Sequence, residues 1–130
     1  MKNLLLHNAK EINRLHKRIH ATFKDRNKNE EKNREWKQAC REFHEWYETL
    51  AFPGGLGRAY ERILSGEAEA VEAGLAFVEC RPYFFRSGYM FKDILRKLKK
   101  APLNNEQQNR LQSVLEKYDE YRRNRQKKEA

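Results

Sequence analysis

Two pairs of metal-ligating side chains lie four residues apart: His16 with His20, and Cys40 with His44. That spacing puts each pair on one face of a helix. The pairs are also symmetric about residue 30. An antiparallel helical hairpin turning near 27–30 would set His16 level with His44 and His20 level with Cys40. A zinc site of one cysteine and three histidines is then open on geometry alone. Cys40 equally fits an apolar helical stripe as a small core residue, and the histidines fit a hairpin's polar border, so no metal is expected. The same helix offers a nucleophile, Cys40, with His44 as base and Glu48 to orient the imidazole. Side chains in mid-helix diverge, however, and the helix start that would lower the thiol pKa lies about three turns away. Gly54-Gly55-Leu56-Gly57 lacks the Lys-Ser/Thr of a P-loop and has no strand before it. Glu67, Glu69, Glu72 and Glu79 read as helix surface rather than paired acids. The sequence points away from an enzyme and from a bound cofactor.

Binding chemistry is better represented. Residues 81–92 hold five aromatics (Tyr83, Phe84, Phe85, Tyr89, Phe91) and three basic residues (Arg81, Arg86, Lys92) around Pro82 and Gly88. Such a segment can offer rings for stacking and guanidinium forks for phosphate or carboxylate. It can also serve as an anchor that buries Phe84, Phe85 and Tyr89 to complete a thin core, and that is the expectation for the rings. Arg81 and Arg86 are expected to be more exposed, where they could cap the last carbonyls of the preceding helix. Lys92, Arg96, Lys99 and Lys100 follow along one helical face, opposite Phe91, Ile94, Leu95 and Leu98. Arg122, Arg123, Arg125, Lys127 and Lys128 form a second basic patch. Clustered cations neutralise phosphates and release counterions. They also serve simply as a solvated face. No helix-turn-helix, ribonucleoprotein or zinc-finger pattern accompanies them.

The elements that position these residues are helices. Apolar spacing is three to four throughout, and β-branched residues are few. Leu5, Ile12, Leu15, Ile19 and Phe23 stripe a first helix over about 3–24. Asn27 with Glu30 resembles a capping box that opens a second, running to about Leu50 through Trp36, Ala39, Cys40, Phe43 and Tyr47. Apolar residues vanish from 24 to 35, which favours a hairpin over a continuous rod. Pro53-Gly54-Gly55 breaks the chain. A short third helix follows, with Leu56, Tyr60, Ile63 and Leu64. Ser65 is the expected N-cap of a fourth, striped by Val71, Leu75 and Val78 and ended by Arg81-Pro82. A fifth runs from about Ser87 or Gly88 to Lys100. Asn104 with Gln107 starts a sixth, with Leu111, Val114, Leu115, Tyr118 and Tyr121 inward.

Composition bounds the rest. The 130 residues carry 28 Lys and Arg against 19 Asp and Glu, a net charge of +9. Leu, Ile, Val and Phe total 27, about one fifth, near the limit for folding alone. Tyrosines, tryptophans and Lys/Arg stems must therefore help close the core. Charge is uneven: 12 basic and 8 acidic residues over 1–50, 2 and 5 over 51–80, 14 and 6 over 81–130. A membrane span, a collagen, a disulfide scaffold and a two-domain enzyme are excluded. The N-terminal apolar run is three residues long, so no signal peptide is expected. Two cysteines are too few for a disulfide framework, and a cytoplasmic protein with reduced thiols is expected.

The sequence thus predicts one all-α domain over 1–130 with five to six helices. An N-terminal hairpin over 1–50 packs on a C-terminal bundle over 56–121, and 122–130 is a basic, fraying tail. The expected function is non-enzymatic binding of an anionic macromolecule, DNA or RNA first. Arg81, Arg86, Lys92, Arg96, Lys99 and Lys100 would contact phosphates, and Tyr83 or Tyr89 would stack if exposed. The alternative is an adaptor or inhibitor that docks on an acidic protein surface. Self-association through the hairpin is a third outcome, and no membrane partner is expected.

Overall fold

The computed structural model describes residues 1–129. Helices α1 (Lys2–Phe23) and α2 (Glu30–Ala51) form the expected antiparallel hairpin. A single 3-10 turn (Leu56–Arg58) leads into α3 (Ala59–Leu64), then α4 (Ala68–Cys80), α5 (Ser87–Lys100) and α6 (Asn105–Glu129). Among the described residues there is no strand, and no helix is long and apolar enough to cross a membrane.

The hairpin closes where the apolar pattern lapses. Residues 24–28 turn, with the Lys28 N–H donating to the Asp25 carbonyl at 3.0 Å. The cap of α2 is Asn29, not Asn27: its side chain accepts the Lys32 N–H at 2.8 Å. Arg18 pairs with Glu42 across the hairpin, in the register predicted by symmetry about residue 30. At the turn end, Phe23 meets Trp36 edge-on, and the Arg26 guanidinium lies 3.5 Å from the Phe23 ring centre.

Helix α4 is the axis of the fold. Ala70, Val71 and every residue from Ala73 to Val78 are buried, so the helix is covered on most of its circumference rather than along one stripe, with Glu69, Glu72 and Glu79 on the remaining side. α1, α3, α5 and α6 all pack on it. Small residues make this approach feasible. A Cβ on Gly74 would lie 3.2 Å from Ile63 of α3 and 3.4 Å from Ile94 of α5. Phe52, at the end of α2, is fully buried and plugs the core below the Pro53-Gly54 turn. The inward face of α5 (Phe91, Ile94, Leu95, Leu98) is buried as expected; on α6 Leu111 and Val114 are buried and Leu115 and Tyr118 half-buried, while Tyr121, expected inward, is 52% exposed.

Two further helix ends differ from expectation. Ser65 does not cap α4. Its hydroxyl donates back to the Arg62 carbonyl and closes α3, and Gly66 (φ +80°) takes the left-handed step that separates the helices. Helix α6 continues as helix through 122–129, where a fraying tail was expected; Ala130 of that tail lies outside the described residues. Its other end is as expected, with Asn104 and Gln107 exchanging side-chain-to-backbone hydrogen bonds of 2.8 and 2.9 Å. Arg110 clamps α6 to α4 by bonding both Glu79 oxygens and Glu72.

Candidate polyanion-binding cleft

The 81–86 connector is held by the hairpin and by its own turn. Asn13 of α1 donates to the Tyr83 carbonyl at 2.8 Å, and the Tyr47 hydroxyl of α2 donates to the Phe85 carbonyl at 2.7 Å. Burial pushes the Tyr47 hydroxyl pKa up, with Arg86 opposing the shift, so it remains a donor. Ser87 accepts the Phe84 N–H on its hydroxyl oxygen and returns its own N–H to the Phe84 carbonyl. Both ends of the connector are left-handed at a non-glycine residue, Arg81 (φ +47°) and Arg86 (φ +67°). Arg81 occupies the position after α4 where glycine is usual, and its backbone N–H, rather than its side chain, bonds the Phe77 carbonyl.

This backbone sorts the aromatics. Phe84 is the anchor, 5% exposed and edge-on to Phe77 and Tyr47. Tyr83 and Tyr89 stand in solvent at 87% and 75% exposure. The expectation that Tyr89 is buried is therefore corrected: it faces out from the first turn of α5 while Met90 and Phe91 take the core. Phe85 is intermediate in role. It lies against His16 and Phe43, yet remains 44% exposed.

Between the connector and the outer part of α6 lies a cleft of about 670 Å³. Arg81, Lys92, Arg122 and Arg125 line it, with Tyr83, Tyr118 and Tyr121. No described carboxylate does. The Arg81 guanidinium sits 4.2 Å from the Phe91 ring centre, with Tyr118 and Tyr121 at 5.7 and 5.6 Å. Arg122 also lies over the Tyr118 ring, at 5.7 Å. Such cation–π contacts hold the guanidinium groups in place without neutralising them. A second groove, about 570 Å³, opens on the hairpin side, lined by His16, Phe85, Arg86 and Tyr89. Burial and the neighbouring His20 push the His16 pKa down. Its ring is thus uncharged at neutral pH where it lines that groove.

The predicted site residues divide. Arg81, Tyr83 and Lys92 line the cleft, and Tyr83, Arg86, Tyr89 and Lys92 line the second groove. Arg96, Lys99 and Lys100 are exposed on the same helix but lie outside both. Lys99 is seven residues, about 10 Å, beyond Lys92. Arg96 is engaged by Asp93. Sequence reasoning missed the α6 wall, having treated 122–128 as a separate patch. Its signal was present, since Tyr118, Tyr121, Arg122 and Arg125 recur at i, i+3, i+4 and i+7.

The side chains weighed for a metal site do not come together, and Glu48, weighed as the partner of His44, accepts the Gly57 N–H at 2.8 Å. His16 and His20 lie edge to face, with ring centres 4.8 Å apart, and His16 packs on Phe43. Among the described residues no three His, Cys, Asp or Glu side chains are placed to share a metal ion. Cys40 and Cys80 are free and half-buried, and burial raises the Cys80 thiol pKa. Compared with protein-family models, curated proteins and solved structures, the chain finds no match in any of the three.

Proposed function

We propose that this protein is a non-enzymatic binding module for an anionic macromolecule, nucleic acid in preference, and that the cleft between the connector and α6 is its contact surface. The observation that carries this is the lining of the cleft: four cationic side chains, three tyrosines and no described carboxylate. Arg81, Lys92 and Arg122 supply phosphate contacts, Arg125 adds positive charge beside them, and Tyr83 supplies a face for a base or sugar. Arg86 extends the positive surface past the start of α5. Arg96, Lys99 and Lys100 add long-range attraction along α5 rather than direct contacts.

An acidic protein surface is the second reading. Tyr83, Tyr89 and Arg86 together have the residue types of interface anchors, and they are exposed without a cover in this chain.

Labelled DNA and RNA, single- and double-stranded, titrated at two salt concentrations, test the proposal by fluorescence anisotropy. Three neutralised phosphates give a log–log salt slope of about −2 to −3, so affinity falls roughly 20- to 40-fold between ~50 and ~200 mM salt. Roughly micromolar binding at low salt with that slope is expected. Lys92→Gln and Arg122→Gln should each reduce the slope by about 1. No binding to any of the four polymers at low salt would refute the proposal.

A further inference from the structure

We infer that the ligand is a single strand, and that it passes over the start of α5 from the cleft into the second groove. This rests on the polyanion-binding function proposed above. The two depressions are not separate. Tyr83, Ser87, Gly88 and Lys92 line both, so the first turn of α5 is a saddle between them. The saddle is open: a Cβ placed on Gly88 would meet nothing within 4 Å. Each depression has the volume of a small-molecule pocket, enough for a base and its sugar but not for a duplex.

The chemistry along this path alternates. Arg122 and Arg125 lie at the outer end, Lys92 at the saddle and Arg86 at the far end, while Tyr83 and Tyr89 stand beside the saddle with their rings free. The positive end of the α5 dipole adds to the potential there. Phosphates would follow the cations, and unpaired bases would stack on the two tyrosines. A duplex hides its base faces inside the helix and gains nothing from Tyr83 or Tyr89. The Asn13 and Tyr47 hydrogen bonds hold the Tyr83 and Phe85 backbone still, so the platform is organised before a strand arrives.

The test compares fluorescein-labelled U-rich RNA and T-rich DNA strands of about 12 nucleotides with the matching duplexes, for wild type and variants. Single strands should bind at least about tenfold tighter than duplexes. Tyr83→Ala and Tyr89→Ala should each weaken single-strand binding by roughly 5- to 100-fold and leave duplex binding unchanged, with Tyr→Phe restoring it. Gly88→Glu should weaken it at least about tenfold, through bulk and like charge at the saddle. It should leave the melting temperature unchanged or raised, since an acid in the first turn suits the helix dipole. Equal binding of strand and duplex, insensitive to both tyrosines and to Gly88, with Lys92→Gln and Arg122→Gln still weakening it, would overturn the single-strand path and leave the proposed function standing. Absence of binding to every polymer would overturn both. Displacement of the strand by polyglutamate as readily as by unlabelled strand would overturn the path in favour of an acidic protein partner.

Discussion

Arg110→Ala would remove the clamp that seats α6 on α4. The apolar footing of α6 is narrow: Leu111 and Val114 are buried, and Leu115 and Tyr118 half so. Arg110 adds Nη2 to Glu79 Oε1 at 2.6 Å, Nε to Glu79 Oε2 at 3.3 Å and Nη1 to Glu72 Oε2 at 2.7 Å. The two carboxylates are not equivalent. Glu79 is 18% exposed and Glu72 44%. Hydrogen bonds to a charged, largely buried partner contribute about 1.5–3 kcal/mol, and the exposed Glu72 arm about 0–1. Lys2, 3.6 Å from Glu79, offsets part of the loss. The expected destabilisation is about 2–3 kcal/mol, a fall in melting temperature of roughly 10 °C for a chain of this size. Arg110→Lys keeps the charge but not the fork and should cost about half as much.

The same change carries a pH signature. The hydrogen bond from Arg110 holds the Glu79 carboxyl below the usual glutamate range, against the upward push of burial. Its folded pKa is depressed, so its stabilisation is present above the unfolded value near ~4.3 and is lost as pH falls through the lower folded value. Urea denaturation followed by circular dichroism should therefore show the full wild-type-to-Ala gap at neutral pH. The gap should shrink below about pH 4. A gap under about 0.5 kcal/mol at neutral pH, the range of ordinary surface substitutions, would refute the reasoning. So would a gap that persists unchanged in acid.

Three further outcomes are expected. Arg86→Gly should be more stable than Arg86→Ala by about 1 kcal/mol, because alanine keeps the cost of φ +67° and glycine does not; equal melting temperatures would show that the left-handed turn is not maintained. Asn29→Ala should cost about 1 kcal/mol through the lost Lys32 N–H bond, read by denaturant midpoint, while Asn27→Ala should be near neutral. Burial, aided by Asp93, pushes the Tyr60 hydroxyl pKa up to about 12. An ultraviolet titration should therefore resolve Tyr60 as the last tyrosine to ionise, with Tyr47 also late, and stability should be complete below the ordinary tyrosine value and fall as pH climbs towards about 12. A single transition for all six tyrosines would contradict this.

Much of the architecture was readable because it depends on local periodicity. The three-to-four spacing located the helices, and the lapse in apolar residues located the hairpin turn. The symmetry of the helices about residue 30 gave a register that Arg18 and Glu42 now occupy. The misjudged ends turn on choices between neighbours. Asn27 and Asn29 are chemically equal caps, and the closing turn at Asp25–Lys28 selects the second. Ser65 has the right type for a cap, but the left-handed Gly66 places it on the wrong side of the break. Among the site residues, the connector stood out by composition, whereas the direction of each ring depended on two left-handed arginines that no local preference demands. The α6 wall was hidden for another reason. Its residues join the connector through the chain's return across α4, a contact that no sequence window spans.

The enclosure of α4 bears on how the chain comes into being. A helix of 13 residues is marginal alone in water, and this one has apolar or small residues on most of its circumference. The hairpin can form from local contacts as soon as it is made. α1 and α3 can shelter α4 in part at once, but the sides taken by α5 and α6 stay open until those helices exist. On a ribosome adding about 5–20 residues per second, the roughly 50 residues after α4 leave those sides open for about 3–10 s. Glu69, Glu72 and Glu79 are then its main protection against association, and Arg110 recruits two of them once α6 arrives. Cutting the chain after α4 would strand the most apolar helix of the protein in that interval permanently.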